Sequence, residues 1–212
     1  MFFSNLLKHN PSTCMVLGGM ALIFLLEIAL CHHTTCFLHI SPDVLIHLGG
    51  VVHSAPMNIL SFIRAIFLHA DIIHFMINSL AALILVRSLE LLVGGRLAII
   101  IFVSAGMISN GFSFLFHHEG NTVGASGALV AIATIFLVMD MMKTFEVIIF
   151  PCEDHIISST RFAAFVTVAT SLMPSLSGGA VDYAAHLGGV LAGLMLSLFL
   201  IMHLSFLPQK IS

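Results

Sequence analysis

The chain has 212 residues, of which 59% are hydrophobic and only 8% are charged, with a formal net charge of −3. A soluble domain of ordinary composition carries about 25% charged residues, which cover its water-facing surface. The composition therefore excludes a soluble globular domain and indicates an integral membrane protein.

Six segments are long and apolar enough to cross a membrane as helices, for which roughly 17–25 mostly apolar residues are needed. They lack the alternation of short strands that marks an outer-membrane barrel, so we expect an all-α membrane protein. Because no repeat or second domain is visible, we expect a single six-helix domain over residues 1–212. The expected helices span about Cys14–Cys31, Ile72–Val93, Leu97–Leu115, Ala125–Met142, Ile156–Met173 and Tyr183–Leu204.

Basic residues define the expected orientation of these helices. With the N-terminus inside, six of the seven Lys and Arg side chains fall at inner helix ends or in inner segments, and only Arg64 falls outside. Cytoplasmic segments are enriched in Lys and Arg, so both termini are expected inside. The second, fourth and sixth helices then begin at the outer face. At the inner end of the second helix, Arg87 can reach the interface or pair with Glu90.

The segment between the first two helices, residues 32–70, is too polar to span the membrane but contains apolar patches. We expect a structured loop that lies partly in the membrane interface. Cys31 and Cys36 can pair if that compartment is oxidising, but isolated thiols that pack as small apolar side chains are the favoured interpretation. His32, His33, His39, His47 and His53 lie in this outer stretch without the ligand spacing of a zinc site, so no metal is expected.

The fourth helix opens with Gly124-Ala125-Ser126-Gly127, which places a hydroxyl at the mouth of an apolar run. A polar group in hydrocarbon is costly and therefore suggests a function. Taken alone, such a cluster is more often a packing or capping device. It is not the nucleophile elbow of soluble hydrolases, because position 128 is Ala and no strand precedes it.

Two other helices place polar side chains at the expected depth of Ser126. His74 and Asn78 are four residues apart and so share one face of the second helix. His186 lies in the first turn of the sixth helix. All three helices begin at the outer face, so these side chains are expected to converge.

Small residues allow the fourth and sixth helices to approach each other closely. Gly189 and Gly193 form a GxxxG pattern in the sixth helix, and Gly124 and Gly127 lie on the fourth. If these faces meet, Ser126 and His186 come within hydrogen-bond reach.

The converging side chains are typical of a serine peptidase. A serine hydroxyl is a weak nucleophile until an adjacent base removes its proton, and the imidazole of His186 can act as that base. The oxyanion that develops in acyl transfer requires preorganised donors. The backbone N–H of Ser126 and the side chains of His74 and Asn78 are the candidates.

These motifs resemble those of the rhomboid family of intramembrane serine proteases, across roughly the whole six-helix core. The resemblance implies a rhomboid-like bundle in which the segment His32–Ala70 is the interfacial first outer loop. It also implies that Ser126 is the nucleophile and His186 the base of a dyad, with His74 and Asn78 supporting the oxyanion. The matching motifs are H-x4-H-x3-N at His69, His74 and Asn78; G-x-S-G at Gly124, Ser126 and Gly127; and A-H-x2-G-x3-G at Ala185, His186, Gly189 and Gly193.

The resemblance further implies the partners and the location of the protein. The expected substrates are single-pass transmembrane proteins, cut near the outer face where their helices are easily unwound. The lipid bilayer is the other partner, and neither a cofactor nor a nucleic acid is expected. The expected location is the bacterial inner membrane, with both termini cytoplasmic.

Some positions depart from the family pattern and keep alternatives open. Val130 stands where the family usually has an aromatic residue on the imidazole, and Leu60-Ser61 stands where a Trp-Arg pair is common. A rhomboid-like protein that binds membrane helices without cleaving them is therefore the first alternative. A metal-handling or transport protein that uses the outer histidines is the second.

Asp182 lies four residues before His186 and could orient its imidazole as the third member of a triad. An acidic N-cap or first-turn residue of the sixth helix is the favoured interpretation, since such residues stabilise helix N-termini.

Overall fold

The computed structural model of the protein describes residues 9–31, 35–142, 154–173 and 181–205. In this part of the chain, helices dominate, and the six helices of 16 or more residues begin and end within a few residues of the predicted bounds. Two 3-10 turns, Cys36–Leu38 and Ala65–Phe67, connect shorter elements. The elements, in chain order, are α1 (Pro11–Leu30), α2 (Pro42–His47), β1 (Val51–Val52), α3 (Ile59–Arg64), α4 (Ile72–Val93), α5 (Gly95–Phe116), β2 (Asn121–Thr122), α6 (Ser126–Met141), α7 (Asp154–Ser171) and α8 (Tyr183–Ser205).

Four helices in the described ranges are long and apolar enough to cross a membrane: α1, α4, α5 and the Tyr183–Met202 part of α8. They expose large apolar side chains such as Leu22, Leu80 and Met195, which water would disfavour and lipid accepts. The protein is therefore an integral membrane protein. That α6 and α7 also cross the bilayer stays a prediction.

The centre of the bundle is α6. Every residue from Gly127 to Phe136 on this helix is buried. A helix that is apolar and buried on all sides belongs in the interior of a bundle. It packs there against α5, α7 and α8. The neighbouring helices α4 and α7 are joined by a 2.6 Å hydrogen bond between the hydroxyls of Ser88 and Thr160. The core helix thus carries Ser126 at its first turn.

The N-terminus of α1 is capped by a carboxylate from α4. Glu90 accepts hydrogen bonds from the backbone N–H groups of Ser12 (2.9 Å) and Thr13 (2.8 Å) and from the Thr13 hydroxyl (2.7 Å). The first N–H groups of a helix have no intrahelical acceptor, and a negative charge is favoured there. Of the two alternatives for Arg87, pairing with Glu90 is not found in the described residues, and Arg87 donates to the side chain of Asn10 (3.3 Å).

The described part of the segment 32–70 is structured and contains two short helices and one strand, while its place in the membrane interface stays a prediction. β1 pairs antiparallel with β2, so Val51 lies opposite Thr122 and joins this segment to the loop after α5. Cys31 and Cys36 form a disulfide, so the interpretation as isolated thiols is wrong. The fully buried Glu27 of α1 accepts a 2.8 Å hydrogen bond from the backbone N–H of His69.

Candidate active site

Ser126 is the first residue of α6, where the chain turns sharply into the helix. Gly124, two residues earlier, has φ +119°, and its N–H donates to the carbonyl of Ala65 at 2.7 Å. A Cβ at position 124 would lie 2.6 Å from Cε1 of His74. Position 124 therefore requires glycine for two reasons, the positive φ angle and the close approach of the His74 imidazole. The N–H groups of the first turn, including that of Ser126, have no acceptor within the helix.

The predicted close contact between the fourth and sixth helices is present between α6 and α8. A Cβ at Gly189 would overlap the carbonyl oxygen of Gly127, and one at Gly193 would lie 2.5 Å from that of Ala131. Gly127 in turn leaves room for Ser109 of α5, whose hydroxyl donates to the carbonyl of Ala185 at 2.6 Å. Small residues thus bring the backbones of three helices together.

This packing places Ser126 and His186 within hydrogen-bonding distance. Nε2 of His186 lies 3.0 Å from Oγ of Ser126, as the sequence predicts. Nδ1 of the same ring lies 2.8 Å from the carbonyl oxygen of Ser171. A carbonyl can only accept, so Nδ1 carries the proton and Nε2 presents its lone pair to the serine hydroxyl. Both side chains are half-buried rather than fully enclosed.

The contact with Ser171 has an electrostatic consequence as well as a geometric one. Ser171 is the last residue of α7, where backbone carbonyls lack intrahelical donors and the helix dipole is negative. This end of α7 therefore favours the positive charge that the imidazole acquires when it accepts a proton. No sequence pattern indicates this role, because the carbonyl of any residue type could perform it.

His74 and Asn78 lie beside the turn that leads into Ser126. Asp71 caps α4 and accepts the backbone N–H of His74 at 2.7 Å, which fixes the first turn. Nδ2 of Asn78 lies 3.8 Å from the Cβ position of Gly124. That nitrogen is buried and has no hydrogen-bond partner among the described residues. A donor held without an acceptor is available to an incoming oxygen atom.

The imidazole of His69 supports His74 from the neighbouring loop. The two rings meet edge to face with centroids 5.3 Å apart, and Nδ1 of His69 lies 3.1 Å from the carbonyl of Phe67. Burial, reinforced by the neighbouring His74, holds the pKa of His69 well below its usual range. His69 is therefore neutral at physiological pH and adds no charge beside His74.

Asp182 does not orient the imidazole of His186, because Nδ1 of that ring is already bonded to Ser171. Instead it accepts the N–H of Ala185 at 2.8 Å, as an N-cap residue does. Its other carboxylate oxygen accepts from the hydroxyls of Ser113 and Thr122. Burial opposes ionisation of Asp182, but these hydrogen bonds and the nearby His117 outweigh it and hold its pKa below the ordinary value. The triad interpretation is wrong and the capping interpretation is confirmed.

The residues that depart from the family pattern lie in two places. Val130 is buried one turn after Ser126, with its Cβ 3.3 Å from the Cβ position of Gly189. Leu60 and Ser61 are in α3, where Ser61, together with Asn58 and Arg64, lines a cavity of about 270 Å³.

Comparison with known proteins identifies the family of the chain. The family profile of the Rhomboid domain matches residues 56–203, which include Ser126, His186, His74 and Asn78. The chain belongs to the rhomboid family. The predicted relationship is thereby confirmed.

Two relatives show how far the similarity extends. The chain is 31% identical over 140 residues to "RHOMBOID-like protein 6, mitochondrial" of Arabidopsis thaliana, which covers 66% of this chain and 43% of that protein. It is 26% identical over 137 residues to "Putative rhomboid protease YdcA" of Bacillus subtilis (strain 168), covering 64% of each. The matched segment thus spans less than two thirds of either relative.

Proposed function

We propose that the protein is an intramembrane serine endopeptidase in which Ser126 is the nucleophile and His186 the general base. The observation that carries the proposal is the pair of contacts at His186. Ser171 holds the proton on Nδ1, and Nε2 lies 3.0 Å from Oγ of Ser126. This tautomer is the one that can accept the serine proton. Membership of the rhomboid family, usually serine intramembrane proteases, supports it.

In the proposed reaction, Nε2 takes the proton of Ser126 as Oγ attacks the carbonyl carbon of the scissile peptide bond. The carbonyl oxygen becomes an oxyanion, which the backbone N–H of Ser126 and the side chains of His74 and Asn78 stabilise. The bond to nitrogen breaks as His186 returns the proton to the leaving amine. Water, deprotonated by the same imidazole, then hydrolyses the acyl-enzyme and frees Ser126.

The substrates proposed are single-pass transmembrane proteins. Ser126 lies at the first turn of α6 and His186 in the first turn of α8, so the reacting groups lie at one end of the bundle. The distribution of Lys and Arg supports the proposal that this end faces outward and that both termini are cytoplasmic. The membrane proposed is the bacterial inner membrane. A substrate helix has to unwind there, because its peptide carbonyls are otherwise hydrogen-bonded within the helix. No cofactor and no nucleic acid takes part.

Cleavage of a membrane-anchored reporter by the purified protein in liposomes tests the proposal. We expect the wild type to cut the reporter, and Ser126→Ala and His186→Ala each to abolish cutting. Ser104→Ala is the matched control for the serine, because that hydroxyl donates only to carbonyls of its own helix. Full activity of Ser126→Ala would overturn the assignment.

The alternative of a helix-binding protein without peptidase activity makes a different prediction in the same assay. It predicts that the wild type retains the reporter without cutting it, and that Ser126→Ala binds it equally well. This alternative is supported by Val130, where no aromatic side chain is present, and by Leu60-Ser61 in place of a Trp-Arg pair.

A further inference from the structure

Three side chains far apart in sequence meet at the N-terminus of α8. His53 follows β1, His117 follows α5, and Asp182 caps α8. One ligand atom from each lies within 4.8 Å of the other two. Nδ1 of His117 is 3.6 Å from Oδ1 of Asp182. Two ligands of a tetrahedral zinc ion, each about 2.0–2.1 Å from the metal, are separated by roughly 3.3 Å, so these side chains need little movement.

The tautomer of His53 suits a metal ligand. Its Nδ1 lies 2.9 Å from the backbone carbonyl of Glu119, which can only accept, so Nδ1 carries the proton. The lone pair of Nε2 then points into the cluster, towards Thr122 Oγ1 at 2.9 Å and Ser113 Oγ at 3.2 Å. Metal-binding histidines are held in this way, with the second ring nitrogen donating to a carbonyl or carboxylate.

The hydroxyls of Ser113 and Thr122 have more polar neighbours than protons to donate. Ser113 and Thr122 each donate their single hydroxyl proton to Asp182. Yet the two hydroxyl oxygens are also 2.7 Å apart, both face Nε2 of His53, and Ser113 Oγ lies 3.2 Å from Nδ1 of His117. When both hydroxyl protons go to Asp182 and Nδ1 of His53 carries the ring proton, Nε2 of His53 faces two hydroxyl oxygens with no hydrogen between them. A cation bound to Nε2 takes the place of that hydrogen.

We propose that His53, His117 and Asp182 bind a divalent transition-metal ion of the zinc class, a site distinct from Ser126 and His186. Two imidazoles and one carboxylate form a common zinc donor set, with the fourth position left to water or to a hydroxyl of the cluster. All three side chains are partly exposed, so an ion can enter from solvent. No local spacing motif indicates this site, because His53 and His117 are 64 residues apart in the chain.

The ion would cross-link three segments, which follow β1, follow α5 and begin α8. They lie at the same end of the bundle as Ser126 and His186. Asp182 caps α8, and His186 follows one turn later. A metal ion bound to Asp182 would therefore hold the first turn of α8, which carries the proposed base. The β1–β2 pair already connects the segments that carry His53 and Thr122. Metal binding is therefore expected to stabilise the loops around the site.

Metal binding by the full-length protein, purified without a polyhistidine tag and dialysed against ZnCl₂ with a weak chelator, tests the proposal. We expect one equivalent of Zn²⁺ per chain, and a visible Co²⁺ spectrum typical of a tetrahedral site when Co²⁺ replaces it. His117→Ala is expected to weaken Zn²⁺ binding at least tenfold, because one of three ligands is lost. Asp182→Asn should do the same.

His118→Ala is the matched control, because this neighbouring histidine is exposed and is not one of the three clustered ligands. It should bind Zn²⁺ as the wild type does. The partly exposed His117 can be changed with little risk to folding, which an unchanged unfolding midpoint in chelator would verify. Equal Zn²⁺ binding by His117→Ala and the wild type, or no binding by the wild type, would overturn the proposal. Neither result would bear on the roles proposed for Ser126 and His186.

Discussion

A single methyl group added at Gly189 tests whether helix packing determines the distance between Ser126 and His186. A Cβ at this position would overlap the carbonyl oxygen of Gly127 and lie 3.3 Å from Cβ of Val130. Neither neighbour can yield easily, because one is helix backbone and the other is a side chain that is only 1% exposed. The substitution Gly189→Ala must therefore move α8 away from α6.

The size of the effect follows from the hydrogen bond at the site. A shift of about 1 Å would lengthen the contact between Nε2 of His186 and Oγ of Ser126 from 3.0 Å to roughly 4 Å, beyond hydrogen-bonding distance. Misplacing a catalytic group by about 1 Å costs on the order of 100-fold in rate. Overpacking of this kind costs about 1–3 kcal/mol in stability, so the protein should still fold.

The assay is the initial rate of reporter cleavage, measured together with the thermal unfolding midpoint. Gly18→Ala in α1 is the matched control, because a Cβ there meets no atom within 4 Å. We expect it to retain full activity while Gly189→Ala loses about 100-fold. Cleavage at the wild-type rate by Gly189→Ala, or an equal loss of activity in Gly18→Ala, would show that packing of α8 against α6 does not determine the distance between Ser126 and His186.

Two further substitutions, each with a matched control, separate function from stability. Asn78→Ala should lower the cleavage rate about 100-fold, as loss of an oxyanion donor does, with little change in the unfolding midpoint because Nδ2 has no partner among the described residues. Ser79→Ala removes another buried α4 group that has no hydrogen-bond partner in the described part of the chain, and should leave the rate unchanged. Equal loss in both variants would contradict the role of Asn78. Glu90→Ala should lower the free energy of unfolding by about 2–4 kcal/mol, since it strips the acceptor from three donors at the start of α1. Arg87→Ala, the control, should lower the free energy of unfolding by less than about 1 kcal/mol. An equal loss in Glu90→Ala and Arg87→Ala would instead indicate an ion pair between these two residues, which the described residues do not show.

The sequence predicted those features that local patterns encode. Long apolar runs locate the helices, because backbone groups in lipid must be satisfied within the helix itself. The spacing of Gly189 and Gly193 predicts a face without side chains, and this face contacts α6. His74 and Asn78, one turn apart, share a face of α4 for the same reason of periodicity.

What the sequence did not predict depends on contacts between distant segments. Glu90 caps a helix that begins 79 positions earlier in the chain, and no pattern near either residue indicates this. Ser171 contributes a backbone carbonyl, which every residue type has. Asp182 was placed near His186 by spacing, yet hydroxyls from α5 and β2 attract its carboxylate instead. The pairing of Cys31 with Cys36 depends on the redox state of the compartment as well as on spacing.

The most direct test of the central claim is whether Ser126 reacts with a fluorophosphonate, which modifies a serine only when an adjacent base activates it. Intact-mass and peptide mass spectrometry of the labelled protein would locate the adduct. We predict a single adduct on Ser126 in the wild type and none in His186→Ala, in which the acceptor of the serine proton is absent. An unlabelled Ser126 in the folded wild type, or equal labelling in His186→Ala, would contradict the account.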